Sequence, residues 1–205
     1  MHCTLKSGSD CSSDLWFPGD AGDRFIDVLL RNVDHCAAIG VPILVVHPQT
    51  NFLPDPDIPL GLSRFERLVE HAGKCGVHIA FENIDSADLL DAVMEHFPQE
   101  NAGFCYDSGH EHWLTPDARW LRKYGDRLLC THIHDNDGTF DKHLLPGDGT
   151  IDFEQFCEDL RACGYQGAVS IEVAYRGISL EKYSKEEFIK KSFEIAKQLA
   201  QRIDA

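Results

Sequence analysis

The feature that most limits the fold of this chain is a repeated pairing of two segment types. A short, almost continuous apolar run ends in a polar side chain, and a longer stretch with apolar residues at helical spacing accompanies it. The runs lie at 42–47, 78–83 (HIAFEN), 103–107 (GFCYD), 128–135 (LLCTHIHD) and 168–173 (AVSIEV). The helical stretches lie at 23–38 (Phe25, Leu29, Val33, Cys36), 62–75 (Phe65, Leu68, Val69, Ala72), 86–97, 116–124, 151–163 and 185–203. Gly40, Gly76 and Gly164 supply stop signals. Apolar runs without alternation suit strands covered on both faces, and this β-α order predicts a parallel sheet with crossover helices. No linker or low-complexity tract divides residues 1–205, so a single domain is expected.

The polar residue closing each run carries the chemistry. His47, Glu82, Asp107, His134 and Glu172 can all bind a metal. In a closed parallel sheet the carboxyl ends of all strands meet at one face. A carboxylate there is costly to bury unless it is paired or coordinated. One such residue reads as a helix cap or a loop hydrogen-bonder; five in register read as a shared metal site. In YDSGHEHW, Asp107 and His110 are three apart across a Ser-Gly turn. In the segment 132–153, His132 and His134 share a strand face, and Asp141 and His143 form a D-x-H pair. Mixed His and carboxylate ligands suit Zn²⁺, Mn²⁺ or Fe²⁺. Plainer readings stand beside these. His132 reads as a core residue or one behind the ligands, Asp135 and Asp137 as orienting, substrate-binding or solvent-facing groups, and His112 and Trp113 as loop packing or a substrate wall. Gly147 and Gly149 read as a tight turn first and an anion contact second.

Charge and composition narrow the partners. The formal net charge is −15, with 19 basic against 34 acidic residues and no strongly basic segment, which disfavours nucleic acid. No apolar run approaches the roughly 18 residues of a membrane span, and MHCTLKSGSD lacks a signal-peptide pattern. Eight scattered cysteines without a C-x-x-C pair read as reduced thiols in a cytoplasmic protein.

VVHP at 45–48, FEN at 81–83, YDSGH at 106–110, HIHDNDG at 132–138, DKHLLPGDGTIDF at 141–153 and the IE at 171–172 together resemble the xylose-isomerase-like TIM-barrel superfamily. That group includes sugar phosphate isomerases and epimerases, inosose dehydratases and endonuclease IV-type apurinic-site nucleases. The resemblance implies an α/β fold of the TIM (β/α)8 type. It implies a divalent ion (Mn²⁺, Zn²⁺, Mg²⁺ or Co²⁺) held by Glu82, Asp107, His134 and Glu172. It also implies that Glu82 and Glu172 exchange a substrate proton through a cis-enediolate, with His110 contacting a carbohydrate substrate; Lys142 and Arg176 are further candidate substrate-binding residues. The nuclease class uses three zinc ions, and His2, His47, His110, Asp141 and His143 supply the additional ligands in matching order. Two or three Zn²⁺ and phosphodiester hydrolysis are therefore the alternative expectation. His2 resembles the end of the family's second strand, so about seven strands are expected and the first β-α unit is not. The resulting open edge leaves homo-oligomerisation open.

Overall fold

Helix α1 (Asp20–Ile39) buries the stripe Phe25, Ile26, Leu29, Val33 and Cys36, as its spacing predicts, and stops at Gly40 in the left-handed region (φ 71°). It belongs to the first of two units into which the computed structural model divides, Met1–Cys105 and Tyr106–Ala205. The structure describes residues 1–49 and 54–203. Upstream of α1, a two-residue hairpin, β1 (Lys6–Ser7) and β2 (Asp10–Cys11), leads into a 3-10 turn at Ser12–Trp16. Strand β3 (Ile43–Val46) follows, then α2 (Ile58–Cys75), β4 (His78–Glu82), α3 (Ala87–His96) and β5 (Ala102–Asp107). The side chain of Asp57 caps α2 by accepting from Leu60 N, and Gly76 closes it at φ 68°.

Strands β3, β4 and β5 are parallel, in the register Ile43↔His78 and Ile79↔Ala102. His2 bridges Val45 in parallel, so the first residues run beside β3. Leu44, Val46, Ile79 and Phe81 are fully buried. A chain of aromatic contacts crosses the core: Trp16 to Phe65 (5.6 Å), Phe65 to Phe81 (5.5 Å) and Phe81 to Phe97 (6.0 Å). Such pairs add about 0.5–1.5 kcal/mol each beyond area burial.

In the second unit the order is α4 (Ser108–Leu114), α5 (Trp120–Tyr124), β6 (Leu128–His132), α6 (Phe153–Ala162), α7 (Ile178–Lys182) and α8 (Lys185–Ile203). Tyr106 stacks on Phe156 of α6 (5.9 Å), and α6 packs on α8 around Leu160, Leu199 and Ile203. Two expectations are corrected here. The helix expected over 116–124 is confined to Trp120–Tyr124, because Arg119 sits in the left-handed region (φ 53°) and interrupts any longer helix. Among the described residues, the run 168–173 pairs only through Ile171, parallel to Ile133, with Ile133 N donating to Ser170 O and Glu172 N to Ile133 O (both 2.9 Å). No described helix is long and apolar enough to cross a membrane.

Asp135 organises the loop after β6. Its fully buried carboxylate accepts four main-chain N–H bonds, from Asn136 (2.9 Å), Gly147 (2.8 Å), Gly149 (2.9 Å) and Ile151 (3.1 Å). A Cβ at Gly149 would lie 2.3 Å from both Asp135 Oδ1 and Asn136 O, so glycine is required there. The anion contact considered for Gly147 and Gly149 is thus made internally. Asp135→Asn would turn an amide donor toward these N–H groups. We expect about 2–4 kcal/mol of destabilisation in urea unfolding; a loss below about 0.5 kcal/mol would show that the loop does not depend on this carboxylate.

Candidate metal centre

In the first unit, His2, His47 and Glu82 converge. Glu82 ends β4 and is buried although it closes an apolar strand; His47 follows β3 and His2 lies on the segment beside it. His47 Nε2 is 3.1 Å and His2 Nε2 3.3 Å from the same oxygen, Glu82 Oε2, and the two imidazole nitrogens are 3.1 Å apart. Burial alone would lower the pKa of His2, but hydrogen bonding to Cys3 and Glu82 and the charge of Glu82 outweigh it and raise it to about 11. The negative potential that holds a proton there is also what a divalent cation would meet.

In the second unit, Asp107, His110, His134, Asp141 and His143 form another cluster, and the sequence between them explains why. Asp107 caps α4, its Oδ1 accepting from His110 N at 2.7 Å, so the expected Ser-Gly turn is the first turn of a helix. Ser108 Oγ accepts from His134 N (3.0 Å) and donates to His134 O (2.7 Å), locking that backbone in place. Gly109 leaves room for the His134 ring: a Cβ there would stand 1.8 Å from His134 Cε1. Asp107 Oδ1 is then 3.1 Å and Asp141 Oδ1 3.4 Å from His134 Nε2. His143, at φ 49°, directs Nε2 to Asp141 Oδ2 (2.9 Å) and Nδ1 to Glu172 O (2.7 Å), and its ring stacks on His134 at 4.1 Å. His110 Nε2 is 3.9 Å from Asp141 Oδ2. Burial would raise the Asp141 pKa, yet the hydrogen bonds and charges of His110 and His143 hold it well below the carboxylate range.

His134 supplies the test of whether a cation fits. Its side chain is fully buried, and among the described residues neither ring nitrogen makes a hydrogen bond; the buried Asp141 Oδ1 makes none either. Each such unsatisfied group costs about 1–3 kcal/mol. An imidazole nitrogen with two carboxylate oxygens converging on it is a donor set that suits Zn²⁺, Mn²⁺ or Co²⁺. The residues fit.

Glu172, expected beside His134, turns its carboxylate to His132 Nδ1 at 3.1 Å. His132 therefore stands with a proposed ligand rather than in the core, a position its i, i+2 relation to His134 allowed. Of the substrate-binding candidates, Lys142 pairs with Asp137, and Arg176 reaches Asp141 O only at 3.4 Å. Both line a recess of about 310 Å³ with Phe140, Leu144 and Ile178. Ser108, Gly109 and Asp135 act by positioning main chain, a role that residue type and spacing do not announce.

The chain is similar to several known proteins. The uncharacterized protein y4fM of Sinorhizobium fredii is 31% identical over 166 residues, covering 72% of this chain and 52% of its own length. The chain thus spans about half of that relative. An inosose dehydratase of Bacillus velezensis is 23% identical over 203 residues, covering 77% and 66%. Among solved structures, a D-tagatose 3-epimerase-like protein superimposes with a TM-score of 0.78 at 22% identity, over 99% of this chain and 77% of that one. The IOLI protein, solved with a binding zinc atom, gives 0.76 at 20% identity, over 91% and 73%. These likenesses show an α/β fold of the TIM-barrel type. A family model described as xylose isomerase-like TIM barrel matches residues 2–199, and the chain belongs to that family.

Proposed function

We propose that this chain is a metal-dependent isomerase or epimerase acting on a sugar, sugar phosphate or related polyol. The observation that carries the proposal is the pair of partly buried His-carboxylate clusters, each drawn from strand ends and the segments that follow them. An inosose isomerase among the relatives and a D-tagatose 3-epimerase-like protein among the structural neighbours support this reading, and the inosose dehydratase shares its polyol-derived substrate class. The proposed metal ligands are Glu82, Asp107, His134 and Glu172, with His132 added because its ring faces the Glu172 carboxylate. When bound, the ion supplies Lewis-acid polarisation of a substrate carbonyl or hydroxyl. Glu82 and Glu172 are assigned the proton exchange at the carbon beside that carbonyl, as the family resemblance implies. His110, Lys142 and Arg176 are assigned to substrate, and the eight free thiols suit the reducing cytoplasm.

A second reading is favoured by one observation. The His134–Asp141–His143 group and the His2–His47–Glu82 group could each hold an ion, as a multinuclear zinc phosphodiesterase requires. The acidic net charge of −15 stands against a nucleic-acid substrate.

Metal analysis of the purified chain separates the two. We expect one tightly held ion at the strand-end clusters and no nicking of abasic duplex DNA at low salt; three zinc ions there, with nicking, would replace the isomerase by the phosphodiesterase. With a ketose substrate in deuterated water, Glu172→Gln is expected to slow exchange of the substrate proton by about 10²–10⁴-fold. Wild-type exchange in that variant would remove Glu172 from proton transfer. Gly109→Ala should displace the His134 ring and lower retained metal at least about tenfold, since outer-sphere changes alone alter affinity about 10–100-fold. Unchanged metal content would show that His134 is not a ligand.

A further inference from the structure

We propose a separate site for a borderline or soft divalent cation, of the Zn²⁺ class, on the outer face of helices α1 and α2, formed by Asp34, His71 and Cys75. It lies wholly in the first unit and does not depend on the function proposed above. His71 and Cys75 are four apart on α2, so both side chains project from one face of the helix. Asp34 reaches across from α1, with its Oδ1 2.7 Å from His71 Nε2, and Cys75 Sγ lies 3.8 Å from the same nitrogen. One ligand atom from each residue lies within 4.8 Å of the other two. Zn–N bonds near 2.0 Å and Zn–S bonds near 2.3 Å, at tetrahedral angles, place ligand atoms about 3.3–3.6 Å apart. Small side-chain adjustments would therefore seat an ion on three protein ligands, with the fourth position open to water.

The chemistry of the trio selects the ion. A thiolate, an imidazole and a carboxylate favour Zn²⁺, Co²⁺ or Cd²⁺ over Mg²⁺ or Ca²⁺, whose ligands are oxygens. The surroundings favour a cation as well. Cys75 is the last residue of α2, where the carbonyl end of the helix carries partial negative charge. The side chains are accessible, His71 being 34% and Asp34 57% exposed, so an ion can enter without local unfolding. Cys75 precedes the start of β4, whereas Glu82 ends that strand. Four strand steps of about 3.3 Å thus separate the two ends of β4, and the site is distinct from the strand-end clusters. Binding releases the Cys75 thiol proton to solvent, forms the metal–sulfur bond and ties α1 to α2.

The test is a Co²⁺ titration of the full, metal-free chain with its thiols reduced, followed by near-ultraviolet absorption. A thiolate-to-cobalt charge-transfer band is expected, saturating one equivalent beyond the cobalt taken up by the thiol-free strand-end clusters. Cys75→Ser should abolish the band while circular dichroism shows a folded protein. His71→Ala and Asp34→Asn should each raise the cobalt concentration needed to saturate it, His71→Ala by at least about tenfold. No band in the wild-type chain, or a band unchanged in Cys75→Ser, overturns the proposal. A band lost only with Cys75 and indifferent to both other variants overturns it equally, because the thiol would then be binding alone.

Discussion

Charged and polar groups held away from water at the ends of apolar strands are the constraint to which each unit is built. An uncompensated buried ion costs several kcal/mol, a large part of a domain's net stability. The second unit contains two fully buried carboxylates whose environments differ. Asp135 is satisfied by four main-chain N–H groups and needs nothing further. Asp107 spends one oxygen on the α4 cap and on His134, whose own ring nitrogens make no hydrogen bond among the described residues. The first arrangement is closed by main-chain donors, whereas the second faces buried imidazole nitrogens that make no hydrogen bond among the described residues. That difference, rather than burial or residue type, separates a loop anchor from a candidate metal position.

Positioning the incomplete cluster falls to residues that carry no charge. Ser108 fixes the main chain of His134 from both sides, and Gly109 clears the space its ring occupies. The DSGH segment therefore acts as one device: a cap, a latch, a clearance and a second imidazole in four consecutive residues. The His143 backbone, held in the left-handed region, is stabilised by hydrogen bonds from both ring nitrogens. Strain of this kind costs about 1–3 kcal/mol and persists where the surroundings over-determine it.

What the sequence discloses follows the range of the forces involved. Helices α1, α2 and α6 and strands β3 to β6 are legible because their apolar spacing is a local record of one buried face. The strand-end polar residues are legible because a polar residue closing an apolar run is unusual. The segment 168–173 reads as a strand by the same rule, yet whether it pairs depends on a neighbour, and only Ile171 finds one. Arg64 shows the opposite failure. As a charged residue in an amphipathic helix it suggests solvent, but it is buried and donates to the carbonyls of Asp14, Leu15, Phe17 and Gly19. For His132, spacing gives only its face, and its partner Glu172 is remote in the chain.

Substrate charge is subject to the same physical limits. A phosphate group is gripped by main-chain N–H groups of a glycine-rich turn, by Arg or by Lys. In the second unit, the N–H groups of Gly147 and Gly149 already serve Asp135, Lys142 is paired with Asp137 and Lys182 with Asp148. A phosphorylated substrate contacting Lys142 would have to compete with a carboxylate already in place. Arg176, donating only a long contact to Asp141 O, is the cation best placed to respond without breaking an ion pair.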